Sequence, residues 1–197
     1  NEQIDLLLGE TVSSIDPAVR QVTLESKKSI SFEKLIIATG SEPRHLPIPG
    51  VEHALCLYSL QNSRDVYEKL KSADSVAVIG GGFIGLEIAS AAAAAGKEVA
   101  VIEAASQILG RSLTPQLAQR IREIHEAAGI RIIDSASIDF ISAEGVSTDK
   151  GFVDADLVLL GAGSIPRTQL AACAGLSTSN GIDVDQHLET SAPGIYA

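Results

Sequence analysis

Methionine and tryptophan are absent from the 197 residues, and only three tyrosines and four phenylalanines occur. The two cysteines, Cys56 and Cys173, stand far apart and share no metal-ligand spacing with the four histidines. That pattern excludes a disulfide framework and a structural metal site. It suits a reducing compartment and leaves both thiols as ordinary core residues. No apolar run reaches the roughly 20 residues of a membrane-spanning helix, and no secretory leader opens the sequence. The expected setting is cytoplasmic. Basic residues are scarce, 15 Lys and Arg against 25 Asp and Glu, giving a net charge of −10. Such a surface repels phosphate backbones and anionic lipids, so neither nucleic acid nor membrane is an expected partner. The missing methionines include an initiator, and Ile4-Asp5-Leu6-Leu7-Leu8 reads as the middle of a strand. The chain is therefore read as a piece of a longer one.

What is present is core-forming: 45% of the residues are hydrophobic and 20% charged, a balance that excludes disorder. The segment to about Gly50 reads as β. Gln3 to Val12 is apolar, Ser14 to Pro17 turns, Arg20 to Glu25 alternates, and Leu35-Ile36-Ile37-Ala38 suits a short buried parallel strand. Ser41 to Gly50 holds Pro43, Pro47 and Pro49 and reads as a stiff extended linker. Ser63 to Lys71 predicts a short helix with Val66, Leu70 and Tyr67 inward.

From Asp74 the pattern changes. Val76 to Ile79 is a strand, Gly80-Gly81-Gly82 a tight turn, and Phe83 to Ala95 a helix stopped by Gly96. Val99 to Glu103 is a second strand. Thr114 and Pro115 open a helix whose predicted buried face is Leu117, Ile121, Ile124 and Ala128, closed by Gly129. A third strand spans Ile130 to Ile133, a β-meander follows around Ile138 to Ile141, Gly145 to Thr148 and Phe152-Val153, and Leu157 to Leu160 is another buried parallel strand. Alternating strands and helices with buried strands predict an α/β sheet covered on both faces; with the glycine turn described next, the expected fold is a Rossmann-like three-layer dinucleotide-binding domain with a β-meander.

The turn after the first of these strands reads Gly80-Gly81-Gly82-Phe83-Ile84-Gly85, a G-x-G-x-x-G that follows a strand and opens a helix. Gly80 permits the tight turn, Gly82 lets backbone approach a pyrophosphate, and Gly85 lets helix and strand pack closely. The free N–H groups and positive end of the helix then face the phosphates. Glu103 ends the second strand, 18 residues after Gly85. A carboxylate there accepts hydrogen bonds from ribose hydroxyls and repels a 2′-phosphate, which favours NADH over NADPH. Ala104 and Ala105 follow it, and Arg111 is the nearest cation downstream.

Four stretches resemble the FAD-dependent pyridine nucleotide-disulfide oxidoreductases: LIIATGSEP at Leu35 to Pro43, GGGFIGLE at Gly80 to Glu87, DLVLLGAGSIP at Asp156 to Pro166, and TSAPGIYA at Thr190 to Ala197. Within that family, GGGFIGLEIA and ATGSEPRHLPIPG are most similar to the ferredoxin and rubredoxin reductases of oxygenase systems. The resemblance implies that Phe83, Ile84 and Glu87 join the nicotinamide-nucleotide site. Glu87 would face the nicotinamide, and Gly161, Ala162 and Gly163 would border it. Thr39, Gly40 and Arg44 would border FAD. It also divides the chain into residues 1–50 of a FAD domain, a linker and short helix at 51–73, an NAD(H)-binding domain at 74–189, and a return toward the FAD domain at 190–197. One departure is Arg167, which stands where the family's loop carries Asn. No side chain is expected to do acid–base chemistry, because hydride passes directly between the two cofactors.

The implied function is transfer of hydride from NADH to FAD and of electrons to a ferredoxin- or rubredoxin-type carrier. Two alternatives share the architecture. One is a signalling flavoprotein like apoptosis-inducing factor, in which NADH binding switches conformation and partners. The other is an NADH-dependent reductase of small disulfides or peroxide. The family's first flavin glycine motif and its second, Gly-Asp, are both outside this sequence. Pairing of copies into a homodimer through exposed strand edges is then a further expectation. The purified chain is expected to be colourless and inactive in NADH-dependent dye reduction. Stoichiometric flavin in its visible absorbance spectrum would show that the flavin site has been misplaced.

Overall fold

The computed structural model describes residues 4–197. The chain forms two compact units: the chain to Glu42 together with Ile165–Ala197, and Pro43–Ser164.

The first unit begins with an antiparallel sheet of β1 (Val12–Asp16), β2 (Gln21–Leu24) and β3 (Ser29–Ser31), in that order. The predicted apolar strand before Val12 is not formed between Ile4 and Thr11; its beginning at Gln3 lies outside the described residues. Leu6, Leu7 and Leu8 are exposed there. A strand needs a neighbour to take its N–H and C=O groups, and no described strand pairs with this segment. β4 (Leu35–Ile36) follows, then β5 (Ser41–Pro43) at the passage into the second unit. The predicted strand at Leu35 to Ala38 is thus two residues long, with Ile36 exposed and Ile37 buried just beyond it.

The second unit carries β6 (Ala54–Cys56), α1 (Leu60–Ser72), β7 (Ser75–Ile79), α2 (Phe83–Ala94), β8 (Glu98–Ile102), α3 (Pro115–Ala127) and β9 (Arg131–Ile133). The meander β10 (Ile138–Ser142), β11 (Gly145–Thr148) and β12 (Gly151–Asp154) follows, and β13 (Leu157–Leu160) ends the unit. Strands β6-β13-β7-β8-β9 lie side by side in a sheet that is parallel throughout. The side-chain period of two makes this a three-layer structure. Val76, Val78, Val99 and Val101 pack with Val66 of α1 and Leu86 and Ala89 of α2 on one face. Ala77, Ile79, Ala100 and Ile102 pack with Ile141, Val146 and Val153 of the meander on the other. Both faces are covered, so the strands are apolar at almost every position.

Local signals set the helix ends. Ser59 caps α1 by accepting from the Asn62 N–H, and the Asn62 side chain accepts from the Ser59 N–H in return. That cap starts the helix three residues earlier than the sequence predicts. Its face is also narrower, since Val66 is buried and Tyr67 exposed. On α3 the predicted face holds at Ile121 alone. Leu117 is 50% exposed and Ile124 55%, whereas Ala118 is fully buried and Ile121 packs on the core beside it. The covered side is completed by Arg122, which pairs with Asp134, and by His125, which bonds the Ile121 carbonyl and Ser90 Oγ. Polar anchors on the sheet side rotated the helix away from the face that apolar spacing alone selects. The linker reading of Ser41 to Gly50 also changes. Leu46 and Ile48 pack against the meander side of the core, and the Ile141 N–H donates to the Pro49 carbonyl at 2.8 Å.

The chain then returns to the first unit through β14 (Ser164–Pro166), α4 (Gln169–Cys173) and β15 (Ile195–Tyr196). β15 runs parallel to β4, with Ile195 opposite Leu35. Ile15, Val22, Ile37, Ala171, Leu176 and Ile195 form this unit's core. Cys173 is exposed rather than buried, because it ends a short surface helix; Cys56 is half-buried, and burial pushes its thiol up from its ordinary value.

One carboxylate ties the starts of β7 and β13 together. Asp156 Oδ2 accepts from the Asp74 N–H, the Ser75 N–H and Ser75 Oγ, each at 2.9 Å. These bonds, aided by the charge of Lys97, hold its carboxyl below the ordinary aspartate value. A depressed folded-state value means that the unfolded chain takes up the proton first. The stability Asp156 contributes is therefore present above pH ~4 and lost as the pH falls through the folded value. Urea midpoints measured at pH 7 and pH 3 should differ less for Asp156→Asn than for the native chain. An equal drop in both would remove Asp156 from the acid response.

Candidate functional site

The carboxyl ends of parallel strands are where an α/β sheet leaves an open crevice. Here a groove of about 1160 Å³ opens over the ends of β13, β7 and β8. Its floor is the turn from β7 into α2. Gly80 takes φ +107°, and a Cβ on it would meet the Gly161 carbonyl oxygen at 2.6 Å. A Cβ on Gly85 would sit 1.9 Å from the Gly80 carbonyl oxygen, and one on Gly161 would sit 3.0 Å from Gly85 Cα. Three backbones thus meet where no side chain fits. Gly82 is the contrast: nothing lies within 4 Å of the space its Cβ would fill. That space is the groove itself.

α2 begins at Phe83 with Gly82 as its cap, and no side chain satisfies the first turn. Its leading N–H groups have no intrahelical acceptors, and the helix dipole adds a positive potential there. Phe83 and Ile84 are exposed and line the groove.

Glu103 follows β8 and is half-buried. Its Oε2 accepts from the Gly81 N–H at 2.7 Å and its Oε1 from the Ala105 N–H at 2.8 Å. Each oxygen keeps a lone pair for a further donor. The loop behind it locks onto the same turn: the Leu109 N–H donates to the Gly81 carbonyl at 2.9 Å, and buried Ile108 packs against Gly81. Arg111 is exposed at the end of this loop and lines the groove.

The groove therefore brings together Gly80, Gly82, Phe83, Ile84, Glu103, Arg111, Gly161, Ala162 and Gly163, while Gly85 lies buried beneath it. Glu87 is exposed on α2 but lies outside the lining. Thr39 and Gly40 belong to the first unit, where Thr39 Oγ1 donates to the Arg167 carbonyl at 2.7 Å and the Arg167 N–H to the Gly40 carbonyl at 2.9 Å. The Arg167 guanidinium pairs with Glu42, at 3.3 Å. Arg44 lies in the second unit and lines the groove.

Sequence reasoning missed three parts of the wall. Leu46 and Ile48 come from the proline-rich segment, Ser106, Gln107, Leu109, Gly110 and Ser112 from the loop after β8, and Ala136 to Ile138 from the loop after β9. Only the order of strands places the last group beside Glu103, whose carbonyl accepts from the Ala136 N–H. Among the described residues no group of three or more His, Cys, Asp or Glu side chains is arranged to hold a metal, and no helix is long and apolar enough to cross a membrane.

An open parallel sheet with a glycine-lined crevice and a strand-end carboxylate is a Rossmann-like dinucleotide-binding fold. Residues 1–197 match the family model described as pyridine nucleotide-disulphide oxidoreductase, and the chain belongs to that family. It is 37% identical over its whole length to rubredoxin-NAD(+) reductase of Pseudomonas putida, of which it covers 53%. Among solved structures, the ferredoxin reductase for the CYP199A2 system of Rhodopseudomonas palustris superposes with a TM-score of 0.90 at 37% identity, over 96% of this chain and 49% of that one. The covalent putidaredoxin reductase–putidaredoxin complex gives 0.88 at 31% identity, over 95% and 48%. The chain thus spans about half the length of the relatives it matches.

The three-backbone contact has a direct test. Gly85→Ala should destabilise the chain by about 1–3 kcal/mol or more, because a fixed carbonyl must move to admit the methyl. Gly82→Ala, facing open space, should change the urea midpoint little. Equal effects of the two would mean that the contact relaxes freely.

Proposed function

We propose that this chain is the nicotinamide-nucleotide-binding part of a cytoplasmic NADH-dependent flavoprotein reductase. In the intact protein, NADH supplies a hydride and FAD takes it, for onward delivery as electrons to a ferredoxin- or rubredoxin-type carrier. The observation that carries this reading is the pairing of an open Gly82 with a Glu103 carboxylate bonded to the neighbouring Gly81 N–H. The first leaves room for a pyrophosphate; the second sets a ribose-reading acid one residue from it.

The chain's own residues account for binding and orientation. The N–H groups of the first turn of α2 would take the phosphates, and Gly82 admits them to backbone contact. Glu103 would accept from the adenosine ribose and repel a 2′-phosphate. Gly161, Ala162 and Gly163, at the end of β13, leave a smooth wall where a flat ring can lie, and Glu87 is the residue proposed to meet its carboxamide. Thr39 and Gly40 of the first unit are proposed to border the flavin. The site holds no proton donor or acceptor that the transfer needs, so the rate depends on geometry. The carrier-protein reading rests on the names of the relatives, a rubredoxin reductase and a ferredoxin reductase among them. The small-substrate alternative has weaker support of the same kind, from solved structures named as an NAD-dependent persulfide reductase at 28% identity and a water-forming NADH oxidase at 26%.

Titration calorimetry with NADH and NADPH tests the site. The chain should bind NADH more tightly, and Glu103→Ala should narrow the preference by roughly 1–2 kcal/mol, the scale of a hydrogen bond to a charged group. Gly82→Val should abolish NADH binding while far-UV circular dichroism stays native. A native preference for NADPH would sink the role of Glu103, and unchanged binding in folded Gly82→Val would remove this turn from the phosphate site.

A further inference from the structure

Two arginines line the groove, Arg44 and Arg111, and they rise on opposite flanks of the glycine turn. The sheet order places β13 on one side of β7 and β8 on the other. Arg111 follows β8, on the side of Glu103. Arg44 is rooted on the β13 side, where its own N–H donates to the Gly163 carbonyl at 3.0 Å. Leu46 and Ile48, two and four residues further on, are half-buried and pack against the core, so the backbone that carries Arg44 is held. Among the described residues no carboxylate forms an ion pair with Arg44. The one acid in the lining, Glu103, has both oxygens engaged by backbone N–H groups.

A dinucleotide lying across these strands runs from its adenosine ribose at Glu103, over Gly82, to its nicotinamide beside Gly161. Its two negative phosphates then sit between the two cations. We propose that Arg44 pairs with the phosphate on the nicotinamide side of a bound dinucleotide, and Arg111 with the one on the adenosine side. This rests on the nucleotide reading given above and assigns Arg44 to the nicotinamide nucleotide rather than to a flavin phosphate. A guanidinium offers phosphate oxygens a planar, bidentate donor fork, which suits a groove whose remaining donors are backbone. The clamp also answers an electrostatic problem, since a chain of net charge −10 must hold a dianion.

NADH fluorescence titration of the 197-residue chain, with AMP as competitor, tests this. Arg44→Met should weaken NADH roughly ten- to a hundredfold, the loss expected for a charge-assisted phosphate bond. It should leave the competition constant of AMP, which carries only the adenosine-side phosphate, within about twofold. Arg44→Lys should recover part of the NADH affinity, because it restores the charge without the fork. Arg44→Gln serves as a second neutral variant if the methionine variant fails to fold. Unchanged NADH affinity in a folded neutral variant, or an equal loss for AMP, overturns the assignment and leaves the nucleotide site standing. Absence of NADH binding by the native chain overturns both.

Discussion

The nucleotide unit depends on a contact between three pieces of bare backbone. Gly80 follows β7, Gly85 lies in the first turn of α2, and Gly161 follows β13; a Cβ on any of them would collide with one of the others. This approach turns the chain sharply enough for α2 to start directly above the strand ends. The start of α2 is where unsatisfied N–H groups and the positive end of the dipole coincide. A looser turn would bury those groups against the sheet or swing them into solvent. Packing of the two faces, with valines against helices and alanines and isoleucines against the meander, holds the strands in the register that brings the three glycines together.

Electrostatics works on two scales. The overall charge of −10 disfavours anions at long range, and salt screens that repulsion within about 10 Å. Inside the groove the balance reverses. The single lining carboxylate is committed to backbone N–H groups, and the free charges of the lining are two guanidiniums. The groove is thus locally basic within a chain whose net charge is negative.

How legible each part was in the sequence follows from the range of the interaction that fixes it. The strands from β7 to β9, β13, and the meander are set by local apolar patterning, and their positions follow from the sequence to within one or two residues. The glycine turn and Glu103 were legible for the same reason, since their spacing lies within one βαβ unit. The buried side of α3 was not. Apolar spacing chose Leu117 and Ile124, yet the Arg122–Asp134 pair, between a helix and the end of the next strand, turned Ala118 inward instead. That Arg44 lines the groove was not legible, because proline signals an extended backbone without saying what it packs on. Leu46 and Ile48, packed against the core, and the bonds from the Ile141 N–H to the Pro49 carbonyl and from the Arg44 N–H to the Gly163 carbonyl fasten that segment to the nucleotide unit. Leu6, Leu7 and Leu8 read as strand because they are apolar, but pairing requires a partner edge that composition cannot supply.

The bond from Gly81 to Glu103 has a consequence for how cofactor preference can change. The carboxylate that would turn away a 2′-phosphate also fastens the glycine turn to the loop running from Ala105 to Leu109. Under the proposed reading, selectivity and loop order rest on one side chain. A lineage, or an engineer, seeking to convert this groove to the phosphorylated cofactor cannot exchange that residue in isolation, because the same step unfastens the loop that must carry any new cation. The workable route begins elsewhere, with substitutions between Ala105 and Arg111 that brace the loop without the acid, and reaches position 103 last.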